Sequence, residues 1–125
     1  MFYLKILVSV VLGTCLGLER EYSHKDVGAR TLSLVTLGST LFCIVQLPGA
    51  DPTRIIGQIA SGMGFLGAGV IFKEGASVKG MTTAATIWCA AAVGSLVGLD
   101  YWLEAITGTA CIIIINLVFR HFKIF

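Results

Sequence analysis

Residues 55–72 read IIGQIASGMGFLGAGVIF, and the fold turns on what this stretch is. Within it, Gly62-Met63-Gly64-Phe65-Leu66-Gly67 satisfies the G-x-G-x-x-G spacing of a dinucleotide-binding turn. That turn needs a strand before it, a helix opening on its glycines, and an acidic residue about 20 positions further on to hold the ribose. Here residues 55–60 run unbroken into the same apolar stretch, and Ile87 and Trp88 stand where the acid belongs. No nucleotide site is expected.

A membrane helix accounts for more of the pattern. At helical spacing Ile56, Ile59, Met63, Leu66 and Val70 form one bulky ridge, while Gly57, Ala60, Ser61, Gly64, Gly67 and Ala68 leave the rest of the surface nearly bare. Helices in lipid gain little by hiding apolar surface from one another; they associate by close van der Waals approach, which small residues permit. The stretch therefore predicts a central helix whose small face, with Gly57, Gly62, Gly64, Gly67 and Gly69, packs closely on its neighbours. The segment at 81–99, with Ala84, Ala85, Ala90, Ala91, Ala92, Gly94 and Ser95, matches it as the second central helix. The rival reading is a helix broken at these glycines to offer carbonyls to an ion.

Composition supports a membrane setting. The chain has 125 residues, of which 56% are hydrophobic and 13% charged, against about 25% charged in a soluble domain. Its mean hydropathy is +0.90. Such a chain lacks the polar groups to hydrate its own surface, and it is expected to sit in a lipid bilayer. A net charge of +2 is too small to suggest a nucleic-acid partner. Cys15, Cys43, Cys89 and Cys111 lie far apart in apolar runs without a C-x-x-C pair, which reads as buried thiols rather than as a zinc site or disulfides.

Charged residues divide the chain into five apolar segments at 2–18, 31–47, 55–72, 81–99 and 101–119. Each is 17 to 19 residues long. As helices they would span ~26–28 Å, just enough for a hydrocarbon core of about 30 Å. Only Asp100 separates the last two, so a tight helical hairpin is expected there. The first segment is read as a retained span, because no A-x-A cleavage site follows it. With five spans, seven of the nine Lys and Arg fall on one side, in loop 19–30, loop 73–80 and the tail; Lys5 and Arg54 fall on the other. The positive-inside rule then places the N-terminus outside and the C-terminus in the cytoplasm. The fold expected is all-α, one polytopic transmembrane domain over residues 1–125.

Ionisable groups are nearly absent from the spans. Glu19 closes the first and Glu104 lies about one turn into the fifth, so no carboxylate sits near a midplane, which argues against a self-contained cation pathway. Glu21 with Lys25, and Asp26 with Arg30, have the i,i+4 spacing of surface ion pairs. Together with Glu74, the acids of this side could also form a partner or ion surface. His24 and His121 belong to basic clusters and read as interfacial rather than metal-binding. Thr82 and Thr86 are placed to bond back to their own helix. Gln58, near Arg54, needs a polar partner, and Trp88 falls mid-span as a packing residue. No serine, cysteine or histidine has a partner arranged for nucleophilic catalysis. A non-enzymatic protein without cofactor or metal is expected.

Several blocks, in order, resemble the MgtC/SapB family of bacterial inner-membrane proteins. Gly17-Leu18-Glu19-Arg20-Glu21 is similar to that family's G-[LI]-E-R, and Gly28-Ala29-Arg30-Thr31 to its G-L-R-T. Arg54-Ile55-Ile56-Gly57-Gln58 with the glycine stretch resembles R-x-x-x-Q…G-x-G-F-L-G-A-G-x-I. Val78-Lys79-Gly80-Met81-Thr82-Thr83-Ala84-Ala85-Thr86-Ile87-Trp88 resembles V-x-G-L-x-T-A-A-x-x-W. The resemblance covers the membrane domain alone and implies a short form without the soluble C-terminal domain many members carry. It implies a multi-pass protein of the bacterial inner membrane, a link to magnesium limitation and, in intracellular pathogens, survival in macrophages. Virulence-associated members are thought to restrain the F-type ATP synthase. They carry an asparagine before T-A-A, where this chain has Thr82, while Glu74 matches their acidic loop residue; Thr82 points to a general branch of the family. The residues that the resemblance marks as candidates are Glu19, Arg20, Arg30, Arg54, Gln58, Glu74, Thr82, Thr83 and Trp88. The expected mode of action is contact with another membrane protein or with a second copy, a homodimer; the alternative is a channel or transporter subunit for a divalent cation or small solute.

Overall fold

A computed structural model describes residues 1–25, 27–45, 49, 51–74 and 77–122. They form five helices: α1 (Phe2–Tyr22), α2 (Ala29–Ile44), α3 (Pro52–Ala68), α4 (Met81–Gly98) and α5 (Trp102–His121). Between α3 and α4 lies a short antiparallel ribbon of β1 (Phe72–Glu74) and β2 (Ser77–Lys79), in register Phe72 to Lys79. The all-α class holds; the ribbon, within a segment read as a plain loop, was not expected.

Helix ends follow local chemistry. Asp51 caps α3 by accepting from the Thr53 backbone N–H at 3.0 Å and its hydroxyl at 2.8 Å, with Pro52 in the first turn, where its missing N–H costs nothing. The same two bonds hold the Asp51 carboxyl below the usual carboxylate range. Gly80 begins α4 at φ +89°, a left-handed geometry that glycine adopts freely, and a Cβ there would strike the Val70 carbonyl oxygen. The expected hairpin between α4 and α5 turns on Asp100, also left-handed at φ 68°. Lys5, the one charge inside the first apolar segment, secures this turn: its Nζ donates to the Gly98 carbonyl at 2.9 Å and lies 3.3 Å from Asp100 Oδ1.

Helix α4 is the centre of the bundle and touches the other four. Ile87, Ala90, Ala91, Val93 and Val97 along it are almost wholly buried, with Leu16 of α1, Leu32 of α2 and Ala105 of α5 packed around them. Small residues permit this. A Cβ on Gly94 would meet the Thr36 carbonyl oxygen of α2, and one on Gly17 of α1 would meet the backbone of Ala29. Hydroxyls reinforce the same contacts. Thr36 Oγ1 donates to the Ser9 carbonyl of α1 at 2.7 Å, and Thr40 Oγ1 to the Gly94 carbonyl at 2.8 Å.

The glycine-rich helix does not occupy the centre. α3 packs on α4 and, less extensively, on α2. Part of its bulky ridge points inward, with Ile59 buried and Ile55, Met63 and Val70 against the core; Ile56 and Leu66 are exposed, and an added Cβ on Gly57, Gly62 or Gly64 would meet nothing within 4 Å. This corrects the expected orientation. The small-residue surface that receives a neighbour belongs to α4, so the bulky side chains of α3 fill it. Gly67, 3.3 Å from the Ala84 carbonyl oxygen when given a Cβ, is the close contact that α3 itself makes with α4. Gly69 serves as the C-cap of α3.

α1, α4 and α5 are long and apolar enough to cross a membrane; α2 is a shorter apolar helix of 16 residues. α1 and α5 present large apolar side chains outward, among them Leu7, Val11, Ile106 and Ile114, a surface suited to lipid. Cys15 and Cys111 share that outer surface, whereas Cys43 is buried; the expectation of four buried thiols is thus corrected for two of them.

Candidate functional site

α1 extends past its apolar segment to Tyr22 and so carries Glu19 and Arg20 into the bundle. Both are buried, with Arg20 only 1% exposed. Arg20 Nε donates to Glu19 Oε1 and Nη2 to Oε2, each at 2.9 Å. Ser23 Oγ adds a 2.7 Å bond to Oε2, and Asn116 Nδ2 of α5 reaches Oε1 at 3.1 Å. The same Asn116 nitrogen donates to Thr86 Oγ1 of α4 at 3.1 Å, and Thr86 in turn bonds back to the Thr82 carbonyl at 2.9 Å, as its spacing had suggested. A buried ion pair survives only where hydrogen bonds satisfy what water no longer can. Glu19 meets that condition with four donors. Arg20 does not quite, because its Nη1 is buried without a partner.

Beside this network, where α1 ends, α4 begins and α5 ends, lies a cavity of about 240 Å³. Arg20, Lys25, Thr82, Asn116, Phe119 and Arg120 line it. Arg120 also stacks over the Tyr22 ring, its Cζ 4.8 Å from the centroid. Among the described residues no group of three His, Cys, Asp or Glu could hold a metal ion.

Of the candidates read from the sequence, the fold brings Glu19, Arg20 and Thr82 together at this end. Thr83 is buried next to them in sequence; Arg30 is exposed on the first turn of α2. Arg54 and Gln58 are exposed one turn apart near the start of α3 and thus lie toward the other end of the bundle. Gln58 borders a groove of about 600 Å³ between α2 and α3. Trp88 is half exposed rather than packed inside, and its Nε1 donates to the Ala60 carbonyl of α3 at 3.3 Å. Glu74 ends β1, and its side chain lies outside the described residues. Asp26 is outside them too, so the Asp26–Arg30 pairing is not described; Glu21 and Lys25 form no ion pair, and Glu21 lies instead against Gly28.

Asn116 was missed. Its signal was available, since one amide in the run from Ile112 to Val118 must find a partner in lipid.

Comparison with known proteins places this arrangement. The profile described as MgtC family matches residues 6–125. The chain belongs to the MgtC family. It is 47% identical to Protein MgtC of Brucella abortus over 113 residues, covering 88% of this chain and 48% of that protein. Protein MgtC of Salmonella typhimurium is 40% identical over 122 residues, with 96% of this chain and 53% of that protein covered. An uncharacterized protein of Synechocystis is 46% identical over 125 residues, with 98% and 53% covered. The chain thus spans about half the length of these relatives. No solved structure matches it. Within this MgtC-family fold, the blocks around Glu19-Arg20 and around Thr82-Thr86 meet in one buried network, whereas the Arg54–Gln58 block leads into the outer helix α3.

Proposed function

We infer that this chain is a non-enzymatic, multi-pass protein of the bacterial inner membrane, N-terminus out and C-terminus in. It acts through contacts with another membrane protein or a second copy of itself, in a physiology tied to magnesium homeostasis and stress adaptation. The observation that carries this reading is the outward face of α3, where a Cβ added to Gly57 or Gly64 would meet nothing within 4 Å. Four glycines in a helix of 17 residues weaken it unless a close contact compensates. Membership of the MgtC family supports the link to magnesium.

The experiment is crosslinking from this face in native membranes. Cysteine at Gly57 should give a specific adduct with itself or one partner, and Gly64→Leu should abolish it while the protomer remains folded. A face that crosslinks to nothing, with Gly64→Leu fully active in magnesium-limited growth, would sink the reading. The alternative of a divalent-cation or small-solute conduit draws less support, since Glu19 commits its oxygens to Arg20, Ser23 and Asn116. Flux through proteoliposomes of the pure protein, lost in Glu19→Gln, would favour it instead.

A further inference from the structure

We propose that the cavity between the ends of α1 and α5 and the start of α4 binds a phosphate group. Three observations meet there, none of them dependent on the α3 contact surface. The first is charge. Lys25 and Arg120 line the cavity and have no ion-pair partner among the described residues, and no carboxylate is in the lining. The second is an unspent donor. Arg20 gives Nε and Nη2 to Glu19, but Nη1 is buried with nothing to bond, on a side chain that lines this cavity. Buried donors without an acceptor are rare in folded proteins and mark a missing partner. The third is chemical sorting. Arg20, Lys25, Arg120 and Thr82, all bearing donor groups, line one small volume, the pattern that suits a multivalent oxyanion and repels a cation.

The remaining walls refine the choice. Ile115 and Phe119 of α5 give the cavity an apolar side, and both are about half exposed on the surface suited to lipid. A phosphodiester headgroup could place its phosphate among the basic groups and run its chain along this side. A free phosphate could enter from the aqueous end. The phosphate is the chemistry common to both.

The test uses the whole chain. In detergent, thermal unfolding is followed with inorganic phosphate against chloride at matched ionic strength. In a second arm the chain is placed in nanodiscs of phosphatidylcholine alone or with phosphatidylglycerol, and lipid retained after release is counted by native mass spectrometry. We expect the melting temperature to rise with phosphate, or phosphatidylglycerol to be retained selectively. The first outcome assigns a soluble phosphate compound and the second alone assigns a headgroup. Lys25→Gln and Arg120→Gln, both at exposed positions, should each weaken binding about five- to tenfold. Arg30→Gln removes a charge outside the cavity and should change little. Absence of both effects overturns the proposal, and so does an equal loss in Arg30→Gln, which would reduce the attraction to diffuse surface charge.

Discussion

Arg20 and Glu19 are adjacent on α1, yet both side chains turn into the bundle and meet through two parallel bonds. Neighbours on a helix point about 100° apart, so the contact requires the long guanidinium arm to fold back over the carboxylate. Glu19 then joins α1 to α5 through Asn116, and Asn116 joins both to α4 through Thr86. Breaking one partner of such a buried pair leaves a bare charge, which costs about 3–5 kcal/mol, whereas replacing both with apolar groups costs far less. Unfolding in detergent should therefore show Arg20→Met strongly destabilised and the double variant Glu19→Leu/Arg20→Met substantially recovered. Additive losses would show that the pair does not act as a unit. Asn116→Leu should lose about 1 kcal/mol by the same assay, the usual worth of a polar contact between membrane helices.

The glycines of the helices divide into two kinds, and sequence pattern alone does not separate them. Those of α1 and α4 mark backbone contact, as Gly17 and Gly94 show, while Gly57 and Gly62 of α3 face open space. The reading of α3 as a helix held, but it is not among the helices long and apolar enough to cross a membrane. Which face it turns to the core did not follow, because α4 already supplies the small surface and a ridge fits a groove better than two grooves fit each other. In the isolated protomer Gly57→Ala should leave stability unchanged or raise it by about 0.5–1 kcal/mol, the ordinary gain in a helix interior. Gly94→Ala should lower it by more than that and disturb the α2–α4 contact. A melting series of the two in detergent checks both signs. A Gly94→Ala protein as stable as the parent would show that α2 can shift away at no cost.

At the scale of the whole molecule, basic groups collect where α1 and α5 end and α4 begins, whereas Lys5 at the start of α1 and Arg54 at the start of α3 lie toward the opposite end. By the positive-inside rule this basic end should lie in the cytoplasm. In a cysteine-free background, Lys25→Cys should react with an impermeant maleimide only after the membrane is opened, and Arg54→Cys in intact spheroplasts; the reverse pattern would invert the orientation. The sequence by itself determined the membrane setting, the five helices, the α4–α5 hairpin and the family. Each of these rests on composition, on segment length against bilayer thickness, or on ordered motif blocks, all of which are local. Only the tertiary structure decided that α4 alone, without α3 beside it, is central, that Asn116 completes the Glu19–Arg20 network, and that Arg20, Lys25 and Arg120 share one cavity. Those facts depend on which faces meet across up to a hundred residues of chain, a choice that local hydropathy does not encode.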